Sequence, residues 1–351
     1  MLIILCESKN NRKYMGKEMS FREVWMDKLK GFAIICVVLG HAIERTLVGL
    51  QSSNVVLNEI DFLIYSFHIP LFFMTSGYVY ALKERSKILE SKHLRTYIKH
   101  KFLDLFVPYL FFAVLVWVGK MLFAKYVTYT VNIKDLLLMF LNPIAFLWFI
   151  YILFYVCVLT AVLDNKLKNK ENIVLIVFLL MLILRCFVKT DIKLFDRVML
   201  YPLFYYLGVI VYNNKKILKP SNGILAFLAF IITFVVHYKY PDFIFVTSIV
   251  NICGCIFFAI LFKNLSNLKD NIISYIGKIT IYIYILHPII MNAIRILLSR
   301  LNIKAIILWL LILVLVGIWG PCIYVKMSKT IWILDLPFRP RKYLKQVQKE
   351  K

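Results

Sequence analysis

Apolar runs close to twenty residues long recur ten times along this chain, at roughly 29–49, 60–82, 102–124, 144–163, 172–188, 197–212, 222–237, 243–262, 272–293 and 305–325. About twenty residues, at 1.5 Å each, cover the hydrocarbon core of a bilayer. A buried helix of a soluble domain is usually shorter and amphipathic. The composition agrees: 61% of residues are hydrophobic and 18% charged, too few polar side chains to clothe a water-facing surface. Both faces of each run are apolar, which excludes the period-two alternation of a transmembrane barrel. The expected fold is therefore all-α, a polytopic transmembrane bundle of about ten spans. Residues 131–142 (VNIKDLLLMFLN) are too short to span and are expected to lie in the interface.

The chain holds 43 Lys and Arg against 19 Asp and Glu, a net charge of +24. Such an excess suggests nucleic acid when it gathers on one surface. Here it follows the spans instead. Segments 1–28, 83–101, 164–171, 213–221, 263–271 and 326–351 hold 29 Lys and Arg, whereas 44–59, 125–143, 189–197, 238–243 and 294–304 hold 10. The positive-inside rule then puts both termini in the cytoplasm. The expected organisation is a cytoplasmic tail (1–28), a transmembrane domain (29–325) and a basic cytoplasmic tail (326–351) in the inner, cytoplasmic membrane. Its surroundings are membrane lipids and no nucleic acid is expected, while the oligomeric state stays open. The basic loop 83–101 (KERSKILESKHLRTYIKHK) is also suited to attracting an anionic cofactor. The first twenty residues lack the basic start and long apolar run of a secretory signal. The seven cysteines form no CxxC pair, and Cys253-Gly-Cys255 reads as helix packing, so neither a disulfide framework nor a metal site is expected.

Ionisable groups in hydrocarbon are costly and need a reason. Lys120, Arg185 and Lys278 lie near span ends and can snorkel. Three histidines are deeper. Counted from the cytoplasmic edge, His41 lies about 20 Å in, His287 about 22 Å and His68 about 18 Å. One alone reads as an interhelical hydrogen bond; three at one level point to a shared cavity. On the first span, Lys30 and His41 are eleven residues apart and differ by only about 20° around the helix. Asp27 and Glu44 extend the same stripe. In FHIPLFFMTSGY, Pro70 is expected to kink the second span beside His68, and Ser76-Gly77 to permit close approach or a wider cavity.

VWMDKLKGFAIICVVLGH (24–41), FHIPLFFMTSGYVY (67–80), FLWFIYILF (146–154), YPLFYYLGVIV (201–211) and YIGKITIYIYILHP (275–288) together resemble the membrane-bound acyltransferase-3 family, and most closely its short, fucose-4-O-acetylase-like branch. That family moves an acyl group, usually acetyl from acetyl-CoA, onto a sugar hydroxyl of a surface glycan or its lipid-linked precursor. The resemblance implies an O-acetyltransferase with Lys30 and His41 on its basic-residue-x10-His motif. His41 would be the general base of a direct transfer, and Asp27 would orient Lys30 or help close the pocket. Lys30 would contact the acetyl-CoA donor, and His68, Ser76, Trp148 and His287 would line the substrate cavity around the carbohydrate acceptor. Family members more often carry Arg where Lys30 stands, which keeps the charge and loses the bidentate fork. The acidic residue that larger members carry after the fourth-span Trp is absent around Leu153. The basic RxxR motif before the third span is only loosely echoed by Lys99, Lys101 and Asp104. The alternative from a different class is a proton-coupled transporter relaying through His41, His68 and His287. It would favour inverted repeats, and no repeat is visible.

Overall fold

A computed structural model describes residues 23–90, 93–126, 130–168, 170–265 and 271–347, and among them it is helical without strand. Helices of seven or more residues are α1 (Val24–Leu50), α2 (Val55–Tyr65), α3 (His68–Lys83), α4 (Leu94–Lys101), α5 (Val107–Leu122), α6 (Trp148–Lys166), α7 (Glu171–Phe187), α8 (Lys193–Leu200), α9 (Pro202–Asn213), α10 (Gly223–Lys239), α11 (Ile244–Asn264), α12 (Ile272–Lys278), α13 (Thr280–Arg300), α14 (Ile306–Thr330) and α15 (Pro340–Val347). Among the described residues nine helical stretches are long and apolar enough to cross a membrane. The tenth expected span is α7, whose 17 residues reach about 25 Å. Residues 1–22 of the expected N-terminal tail lie outside the described residues. The first span begins at Val24, so Asp27 and Lys30 are both inside α1.

The second span is broken where the sequence suggests a kink, but one turn earlier. α2 ends at Tyr65 and α3 starts at His68, with Pro70 in its first turn. Pro70 has no N–H for the Ser66 carbonyl and its ring crowds that group, so the ladder gives way four residues upstream. Local bonds repair the ends: Ser66 Oγ donates to the Leu63 carbonyl at 2.6 Å and His68 Nδ1 lies 2.7 Å from the Ile64 carbonyl oxygen. A similar irregularity precedes the third span, where a π-helical turn, Phe102–Phe106, joins α4 to α5. The 131–142 segment forms a short helix, Ile133–Leu137, closed by a reciprocal Asn132–Asp135 capping box.

Two glycine-paired crossings hold the central helices. A Cβ on Gly31 would fall 2.0 Å from the Ile273 carbonyl oxygen, and one on Gly277 1.8 Å from that of Asp27. This fixes α1 against α12. Likewise Gly77 meets the Tyr205 carbonyl at 1.7 Å and Gly208 that of Met74 at 2.0 Å, fixing α3 against α9. Lipid supplies no hydrophobic drive between helices, so such backbone-to-backbone approach is how they attract. Elsewhere Arg85, from the 83–101 loop, is buried against Asp164 at 2.8 Å and Glu171 at 2.7 Å, and Tyr80 donates to the same Asp164. That loop cation is structural, tying the loop to α6 and α7. Beyond α14 the chain folds back over the bundle. Phe338 is buried, stacked on Tyr282 with ring centroids 4.5 Å apart.

Candidate active site

The α1 residues Lys30, Ile34, Val37 and His41 share one cavity wall. Their spacings of four, three and four keep them on a single stripe about 16 Å long. The cavity holds about 390 Å³, within the usual range of small-molecule sites. α3 supplies His68, Thr75 and Ser76, and the π-helical turn supplies Leu105. Trp148 and Leu153 come from α6, Arg197 from α8, and Thr280, Ile281 and Tyr284 from α13. On α3 two adjacent small residues point different ways: Ser76 faces the cavity while Gly77 faces the Tyr205 backbone.

Of the sequence-selected residues, Lys30, His41, His68, Ser76 and Trp148 line this cavity together. Asp27 is buried one turn below Lys30, where α1 crosses α12, and is not part of the lining. His287 is fully buried and also outside the lining. It sits behind His41, the two ring centroids 5.3 Å apart. The expectation that all three imidazoles face one void therefore needs adjustment: two face it, and the third backs one of them. Tyr284, one turn before His287 on α13, takes the cavity position, and its hydroxyl bonds the Phe146 carbonyl.

The three rings are held differently. His41 Nδ1 lies 3.2 Å from Glu44 Oε2, and the ring is 22% exposed. A carboxylate accepts, so Nδ1 carries the hydrogen and Nε2 keeps its lone pair. His68 Nδ1 and His287 Nδ1 each donate to the carbonyl four residues earlier, Ile64 and Ile283, at 2.7 and 2.6 Å. His287 Nε2 is buried and has no hydrogen-bond partner among the described residues. Three features escape a reading of the sequence. Arg197 reads there as a loop charge, yet its guanidinium lies 3.9 Å from the centroid of the Trp148 ring. Tyr65 stands edge-on to His68 at 4.7 Å. Ala145, next to the wall residue Phe146, holds a left-handed φ of 49°, strain of the kind that gathers at functional sites.

A family model described as an acyltransferase domain matches residues 23–326. The chain belongs to this acyltransferase family. It carries many helices long and apolar enough to cross a membrane, and the family match runs from the residue before α1 into α14, so it includes every wall of the cavity. The nodulation protein NolL of Sinorhizobium fredii (strain NBRC 101917 / NGR234) is 30% identical over 128 residues, 36% of this chain and 33% of NolL. The matched region thus spans about a third of that relative's length. No solved structure matches the chain. For an acyltransferase the cavity offers what the reaction type requires: a ring nitrogen with a free lone pair, cations at two levels for a charged substrate, and apolar walls to limit water.

Proposed function

We propose that this acyltransferase moves acetyl from acetyl-CoA to a sugar hydroxyl of a surface glycan or its lipid-linked precursor, with His41 as general base. The observation that carries this reading is the posture of His41. Nδ1 donates to Glu44, His287 lies against the ring, and the ring lines the cavity with Nε2 unengaged by Glu44. In the transfer, Nε2 removes the hydroxyl proton as the oxygen attacks the thioester carbonyl carbon. The C–S bond breaks, and the departing thiolate takes the proton from His41. Glu44 holds the tautomer and steadies the imidazolium, the role a carboxylate plays in hydrolase triads. Lys30, about 16 Å along α1 towards the basic side, attracts the donor. Asp27 acts through the foot of α1 and touches no substrate. His68, Ser76 and Trp148 position the reactants.

The charge bias supports cytoplasmic termini and residence in the cytoplasmic membrane, with 29–325 as the transmembrane domain between two tails and lipid as its neighbour. The thioester then enters from the cytoplasm. Single cysteines at exposed Ser52 and Ser86 test this: an impermeant maleimide added outside intact cells should label the first and spare the second. Labelling of both from outside overturns the orientation. The activity itself is tested by glycan mass spectrometry on cells with and without the protein. Loss of acetyl mass on deletion, restored by the wild type and not by His41→Ala, is the expected result. An unchanged glycan profile overturns the acceptor class.

A further inference from the structure

A second cavity of about 380 Å³ adjoins the first. Ile281 lines both, and consecutive residues of the π-helical turn divide between them: Leu105 faces the first, Asp104 the second. The rest of its wall comes from the folded-back C-terminal segment, namely Phe338, Arg339, Arg341 and Lys342. Three cations therefore crowd the N-terminal end of α15, which has no acidic residue in its first turn. A helix N-terminus is the positive end of the macrodipole, so cations there are unfavourable unless negative charge is supplied. The chain supplies two carboxylates. Asp104 pairs with Arg341 at 2.9 Å, and Asp335 accepts from Lys342 at 2.8 Å. Burial pushes the Asp335 carboxyl up, but bonds from Lys342, Tyr282 and Tyr343 outweigh it and hold the group below the ordinary carboxylate range. Arg339 lies over the Tyr282 ring, 5.1 Å from its centroid, with no carboxylate partner among the described residues. Arg341 and Lys342 remain partly exposed, their side chains at 36% and 50%, so they keep donors for a further anion.

We propose that this vestibule binds the phosphates of the acyl-CoA donor through Arg339, Arg341 and Lys342, with the pantetheine arm passing between Leu105 and Ile281 into the main cavity. This rests on the thioester reading of the function and adds to it the anchoring residues. Anchoring and chemistry are then separated: the polyanion stays among cations at the basic face, and only a thin uncharged arm enters the apolar chamber. The other basic cavity on that face, lined by Lys215, Lys219 and Lys263, shares no residue with the main cavity and is not assigned to the donor. Anionic lipid headgroups carry the same phosphate chemistry and are the rival occupant.

The test is binding of CoA and of pantetheine to the purified full chain in detergent, followed by CoA binding in nanodiscs with and without phosphatidylglycerol. Wild type should bind CoA at least tenfold more tightly than pantetheine. The double variant Arg339→Ala/Arg341→Ala should lose roughly ten- to a hundredfold for CoA, the range for hydrogen bonds to charged groups, with pantetheine unchanged. Lys219→Ala should change neither. Equal losses for both ligands would mean a purely structural role and overturn the proposal, as would unchanged CoA binding. So would variants that keep CoA affinity in detergent but lose an effect of phosphatidylglycerol, since the site would then belong to lipid. A wild type that binds pantetheine well but CoA no better overturns the anchor alone. A wild type that binds neither removes the thioester donor and this subsite with it.

Discussion

α1 and the stretch Pro220–Lys239 that contains α10 are nearly indistinguishable by mean hydropathy, 1.7 and 1.8 over their most apolar windows. Half of the α1 window is buried, against 11% for the other. α1 stands at the centre with one stripe on the cavity and Gly31 against α12. α10 lies at the rim, its Ile224, Leu225, Ile232 and Val235 all more than 60% exposed. Hydropathy reports the transfer of a segment from water to lipid, and lipid and protein interior are equally apolar to it. What separates the two helices is polar content and backbone access. Thr233 of α10 bonds its own helix at the Ala229 carbonyl, 2.7 Å away, and needs no neighbour. His41 bonds Glu44 of its own helix, yet together with Lys30 it lines a cavity, where ionisable groups at membrane depth gather.

The strongest way to break this contrast is His41→Ala set beside Ile232→Ala. Loss of a general base costs about 10²- to 10⁴-fold in rate, so transfer by the first should fall by that much with membrane insertion intact. The second should stay near wild type. Near-normal turnover of His41→Ala would falsify the base assignment.

Glycines sharpen the comparison. Gly31→Ala and Gly77→Ala each place a Cβ within 2.0 Å of a backbone oxygen, which no rotamer relieves, and overpacking of this kind costs about 1–3 kcal/mol or more. Gly223→Ala at the start of α10 meets nothing nearer than 3.6 Å. Thermal unfolding in detergent should show a clear drop for the first two and none for the third; equal midpoints would mean that the crossings are not what holds the centre.

Within α1 the expected effects diminish and change in kind. Lys30→Ala should raise the KM for acetyl-CoA by about tenfold, the worth of one charge-assisted contact, while Lys30→Arg keeps activity. An unchanged KM for the alanine variant takes Lys30 out of the donor path. Glu44→Gln keeps a hydrogen-bond acceptor but removes the charge, so kcat should fall several-fold while the donor KM holds. The opposite split would show that Glu44 binds donor and does not steady His41. The smallest losses belong to His68→Ala and His287→Ala, since neither ring is cast as the base. A His287→Ala defect as deep as that of His41→Ala would move His287 into the chemistry.

Much of the site is legible in the sequence because it lies on single helices. Lys30 and His41 share a stripe by arithmetic alone, and the Pro70 and Ser76-Gly77 signals follow from one helix's geometry. Even so, the break comes at Ser66–Phe67, since proline acts on the carbonyl four residues before it. Arg197 stays hidden because a charge at a span edge usually snorkels, and only folding sets it over Trp148. His287 lies against His41 and outside the cavity lining, an outcome of how the helices pack that depth along one helix does not report.

The sequence by itself determined that the chain spans a membrane about ten times as helices, because backbone groups in hydrocarbon must be satisfied within each segment. It also determined which polar residues need a reason to be at depth. Tertiary structure alone decided which helices are central, which imidazoles face the cavity and which one backs another. It also decided that a C-terminal segment far along the chain closes a basic vestibule below. Those outcomes depend on rotation and crossing between helices, set by glycine contacts a few ångströms wide that join residues as far apart as Gly31 and Ile273.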